Sequence, residues 1–162
     1  MNHLPTNVPD AASIEIPDEF KVDGTNRQFL QADITTTDNK RVLIFGTDSL
    51  LDAVNTSEAS IGFADGTFRS CPLQFSQIWI VRVKIRGANL PILYALLEDK
   101  STLSYWAVLN FLHLKCPRFS PITFVMDYEA AEHKAAMKVF QDSGGSYSGV
   151  LVSILSTTEQ AL

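Results

Sequence analysis

The chain has 162 residues, of which 46% are hydrophobic and 19% charged, and its formal net charge at pH 7 is −5. This length and composition predict one folded domain of ordinary size and exclude a disordered or fibrous protein. The negative charge argues against a broad basic surface of the kind that binds nucleic acids, so any contact with DNA must be local or mediated by a metal ion.

The cysteines and histidines are few and widely spaced. Cys71 and Cys116 form no C-x-x-C pair, and the chain has only three histidines, so a zinc knuckle is not expected. Two reduced thiols in an intracellular protein are the ordinary interpretation. The N-terminus lacks a signal peptide, and no apolar run is long enough to cross a membrane. We therefore expect a protein that is neither secreted nor embedded in a membrane.

The first third of the chain predicts a flexible segment followed by a few short elements. Residues 1–19 contain three prolines and no apolar period, so we expect little order before residue 20. Residues 20–58 should form a pre-core unit of a hairpin around the "DGTN" turn, a buried strand at "RVLIFG" and a helix. Thr47 or Asp48 is the expected N-cap of that helix.

Residues 59–142 predict the core of the domain. Three strand candidates with short connections should form an antiparallel meander, and they are "SIGFADGTFRS", "SQIWIVRVKI" and "LPILYALLED". A helix follows, with Ser101 or Thr102 as its N-cap and its end before Pro117. The next elements are the strand "PITFVMD" and an alanine-rich helix stopped by Gly144-Gly145.

Residues 143–162 are expected to add one more strand, "GVLVSIL", and a polar tail. This element order predicts an α/β fold with a mixed sheet. Three antiparallel strands come first, and the fourth and fifth strands enter through helical crossovers and lie parallel to the first of them.

Two aspartates are the candidate functional residues. Asp65 lies inside the first meander strand, and Asp127 ends the strand after the first crossover helix. If these strands are neighbours, the two carboxylates meet at one edge, where their repulsion is costly unless they share a cation. Mg²⁺ or Mn²⁺ held there could support phosphodiester chemistry. Two other interpretations stay open, because an Asp before Gly is often a turn residue and an Asp before a helix is often its N-cap.

The sequence around the two aspartates resembles the catalytic core of the Mutator-like element (MULE) transposases, a DDE family. The matching blocks are "DGTF" with a proline a few residues on, "P-x-x-YALL-x-x-K" and "D-x-E-x-A", and the resemblance covers about residues 16–142. It implies a ribonuclease-H-like fold, DNA transposition as the activity, transposon-end DNA as the partner, and a nuclear location or else a cytoplasmic one. Asp65 and Asp127 would then be the first two catalytic acids and ligands of Mg²⁺ or Mn²⁺.

Several features depart from the family pattern. The family's zinc-binding DNA-recognition segment has no counterpart, and its third acid has none either, since Glu159 in the tail is the only late acid. Glu129 and Glu132 are expected to face solvent or cap the helix, and His133 to be a lone surface histidine. We therefore expect a core that is truncated at the C-terminus, incomplete as a catalyst, and prone to self-association through an uncovered edge or apolar face.

Three functions remain open from the sequence. The first is a metal-dependent transposase core that is inactive by itself because the third acid is missing. The second is a transposon-derived remnant that catalyses nothing and acts as a protein- or DNA-interaction module. The third is an unrelated α/β binding module, which a separation of more than about 10 Å between the two carboxylates would favour.

Overall fold

The computed structural model of the chain describes residues 9–141 and the backbone of residues 150–154. Two short 3-10 turns precede the first strand. The elements that follow are β1 (Leu30–Thr35), β2 (Arg41–Phe45), α1 (Asp48–Thr56), β3 (Ile61–Thr67), β4 (Gln77–Ile85), β5 (Ala88–Leu97), α2 (Thr102–Lys115), β6 (Thr123–Asp127), α3 (Ala130–Gln141) and β7 (Val150–Ile154).

The strands of the described residues form one mixed sheet in the order β1-β2-β5-β4-β3-β6-β7. Strands β3, β4 and β5 make the predicted antiparallel meander, and β1 and β2 extend it beyond β5. Strand β6 lies parallel to β3, and β7 lies parallel to β6. The predicted α/β class and the parallel placement of the last two strands are therefore confirmed.

The helices begin and end where local signals predict. Thr47 occupies the N-cap of α1, and the Ser101 hydroxyl caps α2 by accepting a hydrogen bond from the Ser104 N–H at 3.2 Å. Helix α2 ends at Lys115, two residues before Pro117. The predicted stop of α3 at Gly144-Gly145 and the polar tail lie outside the described residues.

Helices α2 and α3 cover one face of the sheet and bury alternate residues of its central strands. The Trp79 ring of β4 packs on the Tyr105 ring of α2 with centroids 4.9 Å apart. The Phe124 ring of β6 stacks on Phe140 of α3 at 5.8 Å. Phe124 also lies over Gly62, because a Cβ atom at that glycine would come within 2.7 Å of the ring. The close approach of β6 to β3 therefore depends on the missing side chain of Gly62.

Residues 9–20 differ from the sequence expectation of little order. They form 3-10 turns at Ala11–Ser13 and Asp18–Phe20, and Ala11 is only 3% exposed. The Arg41 guanidinium donates to the carbonyls of Ala11 and Ile14 at 2.7 and 2.6 Å while pairing with Asp33. A charged anchor and apolar contacts with Leu43 hold the segment on the face opposite α2 and α3.

The expected hairpin around "DGTN" is present as a short pairing. One isolated antiparallel bridge joins Val22 to Gln28, the Asp23 N–H donates to the Arg27 carbonyl at 2.7 Å, and the Phe29 N–H donates to the Lys21 carbonyl at 2.8 Å. The Asp23 carboxylate also accepts hydrogen bonds from the backbone N–H groups of Thr25 and Arg27. The turn and the pairing of its flanks are therefore as expected, although neither flank is long enough to form a regular strand.

Candidate functional site

The pairing of β3 with β6 brings Asp65 and Asp127 to one edge of the sheet. The parallel register aligns Ile61 with Thr123 and Phe63 with Val125. Asp65 and Asp127 each lie two positions beyond the last of these pairs. Because side chains alternate along a strand, both aspartates point to the same face as Phe63 and Val125. The predicted neighbourhood of the two strands is confirmed.

The backbone around each aspartate argues against the turn and cap interpretations. Asp65 is an exposed strand residue aligned with Ile80 of β4, so it is not part of a turn. Asp127 is the last residue of β6 and lies three positions before Ala130, the first residue of α3, so it does not occupy the N-cap. Both are instead strand residues at the carboxyl edge.

The charge of Asp65 acts on the Asp127 carboxyl. Partial burial raises the pKa of the Asp127 carboxyl, the negative charge of Asp65 raises it further, and Lys100 acts in the opposite direction. Within the described part of the chain, neither carboxylate accepts a hydrogen bond. The pair therefore carries a repulsion that a bound cation would relieve.

Glu132 of α3 is the feature that the sequence analysis missed. Its side chain is 2% exposed, so the expectation that it faces solvent is wrong. Burial raises the pKa of its carboxyl to about 8, the charges of Glu129 and Asp127 raise it as well, and the Trp79 indole lowers it. Its Oε2 and the Trp79 Nε1 are both buried without a partner of standard hydrogen-bond geometry. Glu132 is thus protonated at neutral pH.

A helical period in the sequence contains the signal for this burial. Helix α3 buries Glu132 together with Ala135, Ala136 and Val139, at spacings of three, four and seven residues. This is the spacing of the inward face of a helix. Because Glu132 is acidic, it was expected to face solvent, although its spacing places it on the inward face of the helix.

Glu129 also has protein contacts that the sequence did not predict. The Gln77 amide donates to the Tyr105 hydroxyl at 2.7 Å, and that hydroxyl donates to the Glu129 carboxylate at 3.3 Å. Burial raises the pKa of Tyr105, the hydrogen bond from Gln77 lowers it, and the charges of Glu129 and Glu132 raise it, so the hydroxyl remains a donor. Glu129 is therefore partly buried and oriented, in contrast with the expectation of a solvent-facing side chain.

His133 is likewise not a lone surface residue. It is half-buried, and its Nε2 lies 3.2 Å from the Asp127 carbonyl oxygen. Its ring also approaches that of Tyr128, with centroids 6.5 Å apart. These contacts connect the first turn of α3 to the end of β6 beside Asp127.

The donor set fits a divalent cation only in part. Among residues 9–141 and 150–154, no group of three or more His, Cys, Asp and Glu side chains is arranged to hold a metal ion. Mg²⁺, however, commonly uses one or two carboxylates together with waters and substrate phosphates. Asp65 and Asp127 match that smaller requirement, and Glu159 lies outside the described residues.

Comparison with protein-family models finds none that matches the chain, and comparison with curated proteins finds no match either. In the part of the chain that the structure describes, no helix has both the length and the apolar character needed to span a membrane. The geometry around Asp65 and Asp127 is therefore the feature that points to a function.

Proposed function

We propose that Asp65 and Asp127 bind Mg²⁺ or Mn²⁺ in a phosphodiester cleavage and transfer site of the DDE type, as in the core of a Mutator-like element transposase. The observation that carries the proposal is the β3–β6 register, which puts both carboxylates on one face at one edge of the sheet. The charge of Asp65 that raises the pKa of Asp127 adds an electrostatic reason for a cation there.

The strand order supports a ribonuclease-H-like fold as part of this proposal. The segment β5-β4-β3-β6-β7 has three antiparallel strands followed by two strands parallel to β3. This is the arrangement that the sequence resemblance implies. The two acids lie on the central strand of that segment and on its parallel neighbour.

The chemistry assigns distinct tasks to the residues of this chain. Both carboxylates would hold the cation, which when bound activates a water or a 3′-hydroxyl and stabilises the leaving oxygen. Lys100, whose charge acts on Asp127, offsets part of the negative potential that a DNA phosphate would meet. Glu132, neutral at pH 7, adds no further negative charge to the site.

A second candidate is a protein that binds a cation or DNA at this edge without catalysis. The observation that favours it is that the described residues provide two carboxylates at the edge and no three-residue metal group. Losing one ligand from a catalytic triad normally removes most activity. The two candidates therefore share a site and differ in turnover.

The test combines cation binding with DNA cleavage. Titration of Mn²⁺ by calorimetry and cleavage of end-labelled DNA in Mg²⁺ would be measured for the parent protein, Asp65→Asn and Asp127→Asn. Asp52→Asn is the matched control, because Asp52 is an exposed carboxylate on α1. We expect each site variant to weaken cation binding about tenfold or more and to remove whatever cleavage the parent protein shows, and the control to match the parent.

Each result distinguishes the candidates. Cation binding without cleavage in the parent protein would favour the non-catalytic module. Cleavage that survives Asp65→Asn would remove Asp65 from the proposed mechanism. A parent protein that binds no Mn²⁺ would overturn the cation site itself.

A further inference from the structure

Two exposed aromatic side chains follow the two aspartates at the same edge of the sheet. Phe68 comes three residues after Asp65 and is 55% exposed, and Tyr128 comes directly after Asp127 and is 78% exposed. Because β3 and β6 are parallel neighbours, residues beyond their carboxyl ends lie at one edge. Large aromatic rings are normally buried at least in part, so two of them beside one acidic pair indicate a contact surface.

Lys100 connects the aromatic side of this edge to the acids. Its Nζ lies 4.4 Å from the centroid of the Phe68 ring. Its positive charge also acts on Asp127. Lys100 is therefore placed to contact a nucleotide phosphate, while the neighbouring base stacks on the Phe68 ring. Phe68 and Lys100 would thus bind adjacent parts of one nucleotide strand.

On the other side, Tyr128 is placed by its neighbours at the start of α3. The backbone N–H of Glu129 donates to the Asp127 carbonyl at 2.8 Å, which fixes the bend between β6 and α3. The Tyr128 ring lies beside that of His133 and stays exposed. Phe68 and Tyr128 thus follow the two strands that carry the acids, at one edge of the sheet.

This combination favours unpaired nucleotides over other ligands. Aromatic rings bind bases through their faces, which are hidden inside a duplex and open in a single strand. The net charge of −5 excludes strong general attraction to DNA, so a local stacking contact is needed to hold a strand near the acids. A protein partner could use the same rings but would gain nothing from an unpaired base.

We propose that Phe68 and Tyr128, with Lys100, form a stacking surface for unpaired nucleotides at a DNA end, next to Asp65 and Asp127. The inference rests on the proposed function, since it names the form of DNA that the site takes. It implies that the strand end is separated from its partner strand when it lies at the acids.

The experiment compares a blunt duplex with the same duplex carrying a short unpaired 3′ end that contains 2-aminopurine. Dissociation constants come from fluorescence anisotropy in Mg²⁺, and stacking is read from quenching of the 2-aminopurine. We expect the unpaired end to bind about fivefold tighter or more and to be quenched. Phe68→Ala and Tyr128→Ala should each reduce both effects, whereas Phe68→Trp should keep them.

Leu114→Ala is the matched control. Leu114 is 71% exposed and lies near the C-terminal end of α2, about 18 Å of helix away from the N-terminal end that follows Lys100. This variant removes an exposed apolar side chain from the opposite end of the helix. It should keep the preference for the unpaired end and the quenching.

The possible results distinguish the stacking surface from the proposed DNA cleavage. Equal binding of both DNAs by the parent protein, or no binding of either, would overturn the stacking surface, as would a preference that survives both alanine variants. Loss of the preference in Phe68→Ala and Tyr128→Ala, with the preference kept in the control variants, would support the stacking surface. A preference that behaves as expected without any cleavage supports the stacking surface and counts against the catalytic proposal.

Discussion

Two regions of this molecule hold acidic side chains in contrasting surroundings, the carboxyl edge of the sheet and the layer between the sheet and helices α2 and α3. At the edge, Asp65 is exposed and Asp127 is half-buried. In the layer, Glu132 is 2% exposed and its pKa is raised to about 8. Only five positions of sequence separate Asp127 from Glu132.

The difference shows how surroundings decide what a carboxyl group can do. Water and ions reach the edge, so the repulsion between Asp65 and Asp127 can be relieved by a cation. In the buried layer, burial penalises the charged form, and the charges of Glu129 and Asp127 add to that cost, so the pKa of Glu132 is raised. Side chains of the layer should therefore govern stability, and side chains of the edge should govern binding.

The largest effect on stability is expected in the layer, from Phe124→Ala. Phe124 is fully buried, stacks on Phe140 and lies over Gly62. Removing the ring leaves a cavity, so the free energy of unfolding should fall by about 3–5 kcal/mol in urea denaturation. Tyr128→Ala at the edge is the control and should change it by less than about 0.5 kcal/mol. A similar fall in the free energy of unfolding in both variants would show that the layer and the edge do not differ in their contribution to stability.

The next effect is a pH dependence that belongs to Glu132. Its pKa is about 8 in the folded protein and 4.5 as the ordinary value, so the folded state binds more protons between these limits. Its contribution to stability is fully present below pH 4.5 and is lost as pH rises toward 8. Glu132→Gln removes this loss and should raise the free energy of unfolding by on the order of 1–3 kcal/mol at pH 7, with a smaller difference near pH 4.5.

Urea denaturation of both proteins from pH 4.5 to pH 8 is the measurement. Glu129→Gln serves as the comparison, because the Glu129 carboxylate is less buried and accepts from the Tyr105 hydroxyl. A difference between Glu132→Gln and the parent that does not vary with pH would show that Glu132 is ionised in the fold.

A smaller effect is expected from Ser101→Ala, at the start of α2. The Ser101 hydroxyl accepts from the Ser104 N–H and lies close to the edge through its neighbour Lys100. Loss of this cap should lower the free energy of unfolding by about 1 kcal/mol. Cation binding measured by calorimetry should not change, since Ser101 is structural despite its position. Weakened Mn²⁺ binding would instead extend the site to the start of α2.

The smallest effect on stability is expected from Asp65→Asn in the absence of metal. Asp65 is exposed and is repelled by Asp127, so its neutralisation should leave the free energy of unfolding within about 0.5 kcal/mol of the parent value. Added Mg²⁺ should raise the melting temperature of the parent protein and not that of the variant. Equal stabilisation of both proteins by Mg²⁺ would show that the cation binds at a site without Asp65.

Much of the fold could be predicted from local pattern. The alternation of Ile78, Ile80 and their neighbours marks β4, and Ser101 before an apolar run marks the start of α2. The meeting of Asp65 and Asp127 followed from the rule that a crossover connection returns a strand parallel to its predecessor. Their roles as metal ligands stay predictions.

Other features depended on contacts between residues far apart in sequence. Residues 9–20 have the composition of a flexible segment, yet Arg41 binds the carbonyls of Ala11 and Ile14 across nearly thirty positions. No local pattern encodes such partners.

The sequence by itself determined the order of helices and strands, the position of Asp65 inside one strand and that of Asp127 at the end of another, because these depend on periodicity, caps and the direction of chain connections. Only the tertiary structure decided that Glu132 is buried with a raised pKa, that Lys100 lies over Phe68, and that residues 9–20 cover one face of the sheet. Burial and pKa depend on everything packed around a group, and that environment exists only once distant segments have come together.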